Sequence, residues 1–234
     1  MTFSYFWLIL ISMLYIVATP IGNLEDITLR ALRTLKEVDF ILCEDTRVTQ
    51  KLLAHYQINK PLISYHQHSR LAKVDFIVKL LKEGKNLALV SDAGTPGISD
   101  PGNKLVKSLV SDYKLLIEIV PIPGPSAAIA ALSVSGFPTD KFCFLGFPPH
   151  KKGRQKFIKE LIKAKETVVF YESTHRIEKL LNELRIMNNE LRIMVARELT
   201  KKFETIYRGT PSEVLEKIRS DDKRGEFVVV IDRH

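Results

Sequence analysis

The chain has 234 residues and a mass of 26.7 kDa, room for one large domain or two modest ones. With 45% hydrophobic and 26% charged residues it has ordinary globular composition, which excludes disordered and collagen-like chains. Lys and Arg number 35 against 27 Asp and Glu, and the net charge of +8 suits a polyanionic partner, nucleic acid above all, without bearing on fold.

Phe3–Ala18 is almost wholly apolar. The run is shorter than the roughly 18–20 residues of a membrane-spanning helix. It also lacks the basic flank and small-residue cleavage pattern of a signal peptide. Residues 1–12 therefore read as an extension of unassigned role, with a membrane anchor as the less favoured alternative, and the folded chain is expected from Met13, which also fits an initiator.

Leu14–Ala18 reads as a buried strand, followed by a helix over Thr28–Val38 with Leu29, Leu32 and Leu35 at helical spacing. Asp39–Cys43 is a second strand and Thr46–Tyr56 a helix with Leu52 and Leu53 inward. A short strand over Leu62–Tyr65 leads to an amphipathic helix over Leu71–Lys82, with Val74, Ile77, Val78 and Leu81 on one stripe and Gly84 at its end. Strands over Asn86–Ser91 and Leu115–Val120 alternate with helices over Pro101–Asp112 and Ser126–Ser135. Apolar strands alternating with helices predict a mostly parallel sheet covered on both faces.

Gly136, Pro138, Gly146, Pro148, Pro149 and Gly153 punctuate the next stretch, around a strand-like Phe142–Leu145. A boundary near 136–150 follows, with an N-terminal α/β domain over 13–137, a linker region over 138–152 and a C-terminal α/β domain over 153–234. The second domain reads as helix Arg154–Ala164, strand Thr167–Tyr171, helix Arg176–Met187, strand Leu191–Ala196, strand Phe203–Arg208, helix Pro211–Arg219 and strand Glu226–Asp232. Phe203–Arg208 follows its predecessor with no helix between, so it pairs antiparallel and makes the second sheet mixed.

Cys43 and Cys143 lie far apart in apolar runs and read as reduced core residues of a cytoplasmic protein. His66 and His68 share a strand face, but no third ligand stands at metal spacing; no metal is expected. His55, His150 and His234 read as surface residues, and Lys151, Lys152, Arg154, Lys156 and Lys202 as basic clusters.

In parallel α/β sheets, ligands bind beyond the carboxyl ends of the strands. Thr19–Asn23 is the first such exit. The second, Ser91–Gly102, holds three of the chain's eleven glycines and two prolines. Its glycines are not spaced as G-x-G-x-x-G and it lacks the Lys-Ser/Thr ending of a P-loop, which disfavours a dinucleotide or ATP. Asp92 ends the strand, placed to accept hydrogen bonds from a ribose or from the loop's own amides. The third exit is Pro121–Ala128, with Ser126 as an N-cap. The fourth, Phe170–Arg176, is matched by Ala196–Lys201; both set carboxylates and cations at strand ends, toward an expected interdomain cleft. Glu44-Asp45-Thr46-Arg47 follows the second strand and suits either proton transfer and phosphate binding or a plain acidic helix start.

Six segments occur together and in order: Leu14–Leu24, Cys43–Arg47, Ser91–Pro96, Pro123–Ser126, Tyr171–Arg176 and Arg197–Lys201. In these the chain resembles the small-subunit ribosomal RNA methyltransferase I family of the tetrapyrrole-methylase superfamily, from about Met13 to the C-terminus. The resemblance implies two α/β domains, a homodimer, S-adenosylmethionine as methyl donor between the domains, and 2′-O-methylation of a cytidine in the RNA of the 30S subunit. It also implies donor contacts from Pro20, Asp92, Ala93, Gly94, Ile98, Ser126, Ala127, Tyr171 and Ala196. Ile98 and Ala127 would pack on the donor, and the backbone around Gly94 would bind its polar ends. Glu44 or Asp45 would take the hydroxyl proton, Arg47 would orient the acceptor or hold phosphate, and Lys201 is the cationic alternative. Residues 1–12 have no counterpart in the family pattern, and many members continue past the closing strand with a small basic helical domain. A corrin-precursor methylase and a non-catalytic RNA-binding module are the competing readings, separated by whether labelled methyl reaches RNA, a macrocycle or neither.

Overall fold

The computed structural model describes residues 12–66, 71–100, 102–112, 117–221 and 224–232. Expectations for residues 1–11, His68, Pro101, Leu115, Leu116 and His234 lie outside the described residues. Contacts divide the chain into a first unit, running to Pro20 and over Leu24–Pro125, and a second, comprising Ile21–Asn23 and the chain from Ser126 onward.

The first unit carries a parallel sheet of β1 (Met13–Val17), β2 (Phe40–Cys43), β3 (Leu62–Ser64), β4 (Leu87–Leu89) and β5 (Glu118–Ile122), in the order β3-β2-β4-β1-β5. Both sheet faces are covered: α3 (Leu71–Lys82) and α4 (Gly102–Lys107) supply the core on one side, α1 (Leu29–Glu37) and α2 (Thr46–His55) on the other. The stripe of α3 is buried as its spacing predicts. In α1 the spacing misleads. Leu29 is 87% exposed, while Ala31, Thr34 and Leu35 turn inward, because Thr28 caps the helix through the Ala31 amide and Leu29 falls in its first turn. The helix expected to run to Asp112 is α-helical only to Lys107 and continues as a π-type turn over Ser108–Asp112.

The second unit carries a mixed sheet of β6 (Phe142–Phe144), β7 (Thr167–Ser173), β8 (Ile193–Arg197), β9 (Thr205–Gly209) and β10 (Glu226–Ile231), in the order β6-β7-β10-β8-β9. Only β6–β7 is parallel, and β8–β9 is the antiparallel pair expected from the missing helix. One face packs against α6 (Arg154–Lys163), α7 (Ile177–Met187) and α8 (Pro211–Ser220). The other takes α5 (Ala127–Ser135).

That last contact moves the division away from 136–150. The small residues of α5 (Ala128 and Ala131, with Leu132) pack on Val169, Met194, Ala196, Val228 and Val230, so the helix joins the second unit and the break falls between Pro125 and Ser126. The segment read as a linker contributes β6 to the sheet. Cys43 is buried and burial pushes its thiol up, whereas Cys143 is half-buried rather than a core residue; both are free thiols. Among the described residues, no helix is long and apolar enough to cross a membrane.

Two buried charges, Glu172 and Arg154, and two half-buried ones, Arg176 and Glu183, meet at the end of β7. Glu172, 1% exposed, receives Arg176 Nε at 2.8 Å on Oε1 and has Arg154 Nη1 at 3.5 Å from Oε2. Arg154 pairs in turn with Glu183, its Nε lying 2.8 Å from Oε2. The guanidiniums also tie down the following turn, Arg176 donating to Pro148 O at 2.9 Å and Arg154 to Pro149 O at 3.4 Å. Removing one member strands a desolvated charge, so Glu172→Ala is expected to cost about 3–5 kcal/mol, read as a lower urea midpoint at unchanged slope.

Candidate functional site

The exits of three strands in the first unit are laced together. Thr19, fully buried, gives its amide to Gly94 O at 2.9 Å and takes the Gly94 amide on its carbonyl at 3.1 Å, joining the exits of β1 and β4. Thr95 Oγ1 donates to Pro125 O at 3.2 Å, tying the same loop to the exit of β5. Gly124 lies so close to Ala18 that a Cβ there would stand 3.0 Å from the Ala18 methyl. Asp100 Oδ1 accepts the amides of Gly97 at 2.6 Å and Gly102 at 2.9 Å, which curls the loop. A Cβ at Gly102 would meet the Gly97 nitrogen at 2.8 Å, and Gly94 and Gly97 take φ of +79° and +87°, so the glycines are there for shape.

Of the expected donor contacts in this unit, Pro20 and Gly94 are buried, while Asp92, Ala93 and Ile98 are exposed. Asp92 Oδ1 accepts the Asp45 amide at 3.1 Å, so it braces the neighbouring exit rather than its own loop.

Glu44 and Asp45 are adjacent in sequence and chemically opposite. Asp45 is the N-cap of α2: it accepts the Arg47 amide at 2.8 Å, and its two oxygens take Arg47 Nε and Nη2 at 3.1 and 2.7 Å. These bonds hold its carboxyl at about 2. The plain helix-start reading accounts for the Asp45 contacts: three of the carboxylate's acceptor sites take Arg47 donors. Arg47 is an exposed side chain whose fork is engaged by Asp45. For Glu44, burial pushes the carboxyl up, and the charges of Asp92 and Asp100 add to the rise against an opposing His66. Asp100, which sequence reasoning passed over, both shapes the loop and raises the proton affinity of Glu44; an acid between Ser99 and the Pro-Gly pair was the available signal.

In the second unit Ser126 is the N-cap residue of α5, as expected, although its side chain makes no capping bond. Ala127 is half-buried. Tyr171 lies edge-on to Phe144 and Phe147, at centroid distances of 5.1 and 5.4 Å, and burial pushes its phenol up against a bond from Ala128. Ala196 is fully buried under α5 between two paired strands, so its methyl belongs to the core.

Lys201 sits in a turn that takes positive φ at Glu198 and Thr200. Its Nζ lies 2.9 Å from both Glu198 Oε1 and Glu226 Oε2. Burial would lower its pKa, but the two carboxylates outweigh that and hold the ammonium above its usual value, so Lys201 is a fixed cation and no base. Its stem crosses Gly22, where a Cβ would stand 2.3 Å from Lys201 Cγ; neither Gly22 nor Glu226 was singled out from sequence. Among the described residues no group of three His, Cys, Asp or Glu is placed to hold a metal.

A family model described as tetrapyrrole (corrin/porphyrin) methylases matches residues 13–215. Curated relatives named ribosomal RNA small subunit methyltransferase I include those of Halalkalibacterium halodurans, 46% identical over 94% of this chain and 75% of the relative, and Bacillus subtilis, 47% identical over 94% and 74%. The Thermotoga maritima relative of that name is 46% identical over 93% of this chain and 97% of its own length. Among solved structures, a cobalt precorrin-4 methyltransferase superposes with a TM-score of 0.69 at 20% identity, covering 94% of each chain. A diphthine synthase gives 0.69 at 16% identity over 94% of this chain and 90% of its own.

The contact between Gly22 and the Lys201 stem yields a coupling test. Gly22→Ala is expected to destabilise by about 1–3 kcal/mol. In a Lys201→Ala background it should cost less, because the stem it strikes is gone. A double-mutant cycle by urea denaturation reads this as about 1 kcal/mol of coupling.

Proposed function

We propose that this chain, which belongs to the tetrapyrrole (corrin/porphyrin) methylase family and is an S-adenosylmethionine-dependent methyltransferase, acts on small-subunit ribosomal RNA at the 2′-hydroxyl of a cytidine ribose. The observation that carries the acceptor is the identity of 46–47%, over 93–94% of this chain, to relatives that share one name. The fold neighbours at 16–20% identity speak for architecture alone.

The braced loop suits the donor, since the bonds made by the Gly94, Gly97 and Gly102 amides fix its shape beside exposed Ala93 and Ile98. In this reading Pro20, Asp92, Ala93, Gly94 and Ile98 of the first unit hold it. Bound there, S-adenosylmethionine supplies a methyl group already activated by its sulfonium. The protein is left with positioning, exclusion of water and removal of one proton.

Glu44 takes that proton. The Glu44 carboxylate would accept the hydroxyl hydrogen as the bound donor supplies its methyl group to the ribose oxygen. Its raised pKa matches this role, because a base that holds protons weakly, as Asp45 does, gives little driving force. Arg47 and Lys201 remain cations, Arg47 exposed where a phosphate reaches it and Lys201 fixed by its two carboxylates. A cytoplasmic homodimer completes the reading; Ile129 and Val134, 53% and 41% exposed on α5, offer an apolar face for a second copy.

Transfer of tritiated methyl to small subunits lacking the modification tests the assignment. Glu44→Gln is expected to lower kcat about 100-fold or more, and Asp45→Asn only a few-fold. For the wild type, kcat/KM should rise with pH, since only ionised Glu44 accepts a proton, and level off above a pKa higher than that of an ordinary glutamate. Glu44→Gln should lose that limb. Full activity in Glu44→Gln removes the proposed base, and absence of label in RNA removes the acceptor.

A further inference from the structure

Beyond the C-terminal end of α5, the second unit has a cavity of about 460 Å³ lined in part by Gly136, Phe137, Arg192, Arg208 and Gly209. That volume lies in the range of small-molecule sites. In the β8–β9 register Met194 pairs with Arg208 and Ile193 with Gly209, so Arg192, two residues before Met194, stands diagonal to Arg208 on the same face of the sheet. It is the face that Met194 and Ala196 present to α5. Diagonal neighbours are about 7–8 Å apart, a distance at which two unbalanced cations repel. The helix stops at Gly136, in the left-handed conformation, and leaves this corner of the sheet open.

Only Arg192 of the pair has an ion-pair partner among the described residues. Arg192 Nη1 lies 3.4 Å from buried Asp232, and Arg208 Nη2 donates to the Val134 carbonyl. Of the nearby acids, Glu213 is bound to the Thr210 amide at 2.7 Å as part of a capping box. Each guanidinium has five donors, so most remain for another acceptor. The Arg192 guanidinium also lies over the Phe137 ring, 5.6 Å from its centroid. A cation stacked on an aromatic face, with a second cation beside it and open space above, is the arrangement that receives an unpaired base and its phosphate.

We propose that this cavity is a subsite for single-stranded RNA: a base stacks on the Phe137–Arg192 platform and Arg208 pairs with a backbone phosphate. The proposal rests on ribosomal RNA being the acceptor. The cavity adjoins one end of α5 and the expected donor contacts Ser126 and Ala127 the other. Nine helical residues span about 13 Å, roughly four nucleotides of stacked strand. The subsite would thus hold the acceptor strand a few nucleotides from the methylated ribose.

The test is fluorescence anisotropy of a short fluorescein-labelled single-stranded oligoribonucleotide against the full chain, over a series of salt concentrations. Arg192→Ala and Arg208→Ala are each expected to weaken binding about 5- to 10-fold and to flatten the slope of log Kd against log salt by about 0.7. Arg208→Lys should keep the slope, and Phe137→Ala should weaken binding about 10-fold without changing it. Calorimetric affinity for S-adenosylmethionine should stay at the wild-type value in all four. Wild-type RNA affinity and salt slope in variants with the wild-type Tm overturn the subsite. So does a change confined to self-association in sedimentation, which makes the cavity a contact with a second copy. If the wild type methylates RNA while the variants bind it normally, only the subsite fails; if the wild type transfers no methyl to RNA, the acceptor assignment fails first.

Discussion

The two hydrogen bonds between Thr19 and Gly94 govern the candidate edge of the first unit. Thr19 has no exposed surface, so its amide and carbonyl need protein partners, and Gly94 provides both. A loop with glycines at 94, 97 and 102 would otherwise sample many shapes and lose that freedom on meeting a ligand. Closing it on Thr19, on Pro125 through Thr95 and on itself through Asp100 removes much of that loss during folding. The close approach of Gly124 to Ala18 adds the third exit to the same assembly.

Charge is handled in the same economical way. Glu44 and Asp45 differ in proton affinity because one faces acids across a half-buried edge and the other caps a helix with a guanidinium wrapped around it. Neighbouring carboxylates with affinities pushed apart are how one site separates proton transfer from positioning. In the second unit the acids perform the opposite service. Glu198 and Glu226 fix Lys201, and Glu172 and Glu183 fix the arginines that hold the turn at Pro148 and Pro149.

The fold was legible where burial repeats at a fixed period. The stripes of α3 and α7 and the near-continuous apolar strands read correctly because each is decided by its own residues. Leu29 misled because capping by Thr28, not hydrophobic spacing, sets where α1 begins and which side its first turn faces. The break at Pro125 was hidden because an Ala-rich helix fits either neighbour, and only its packing against Val169, Met194 and Val228 assigns it. The glycine loops and their acids were visible as motifs. Their partners (Asp100 for two amides, Asp92 for Asp45, Gly22 for Lys201) depend on distances across strands, which sequence spacing does not encode.

The helix α5 shows why its sequence could not settle its own role. It is apolar on nearly all sides, yet only Ala128, Ala131, Leu132 and Ser135 are buried, and the small side chains among them let it lie close to the sheet. Closeness fixes its register on β7, β8 and β10, and register fixes what stands at each end: Ser126 and Ala127 at one, the opening beside Arg192 and Arg208 at the other. Lengthening α5 by a turn would fill that opening with helix, and larger residues in place of Ala128 or Ala131 would lift it from the sheet. The same small residues that make the segment hard to assign by periodicity therefore determine what stands at each of its ends.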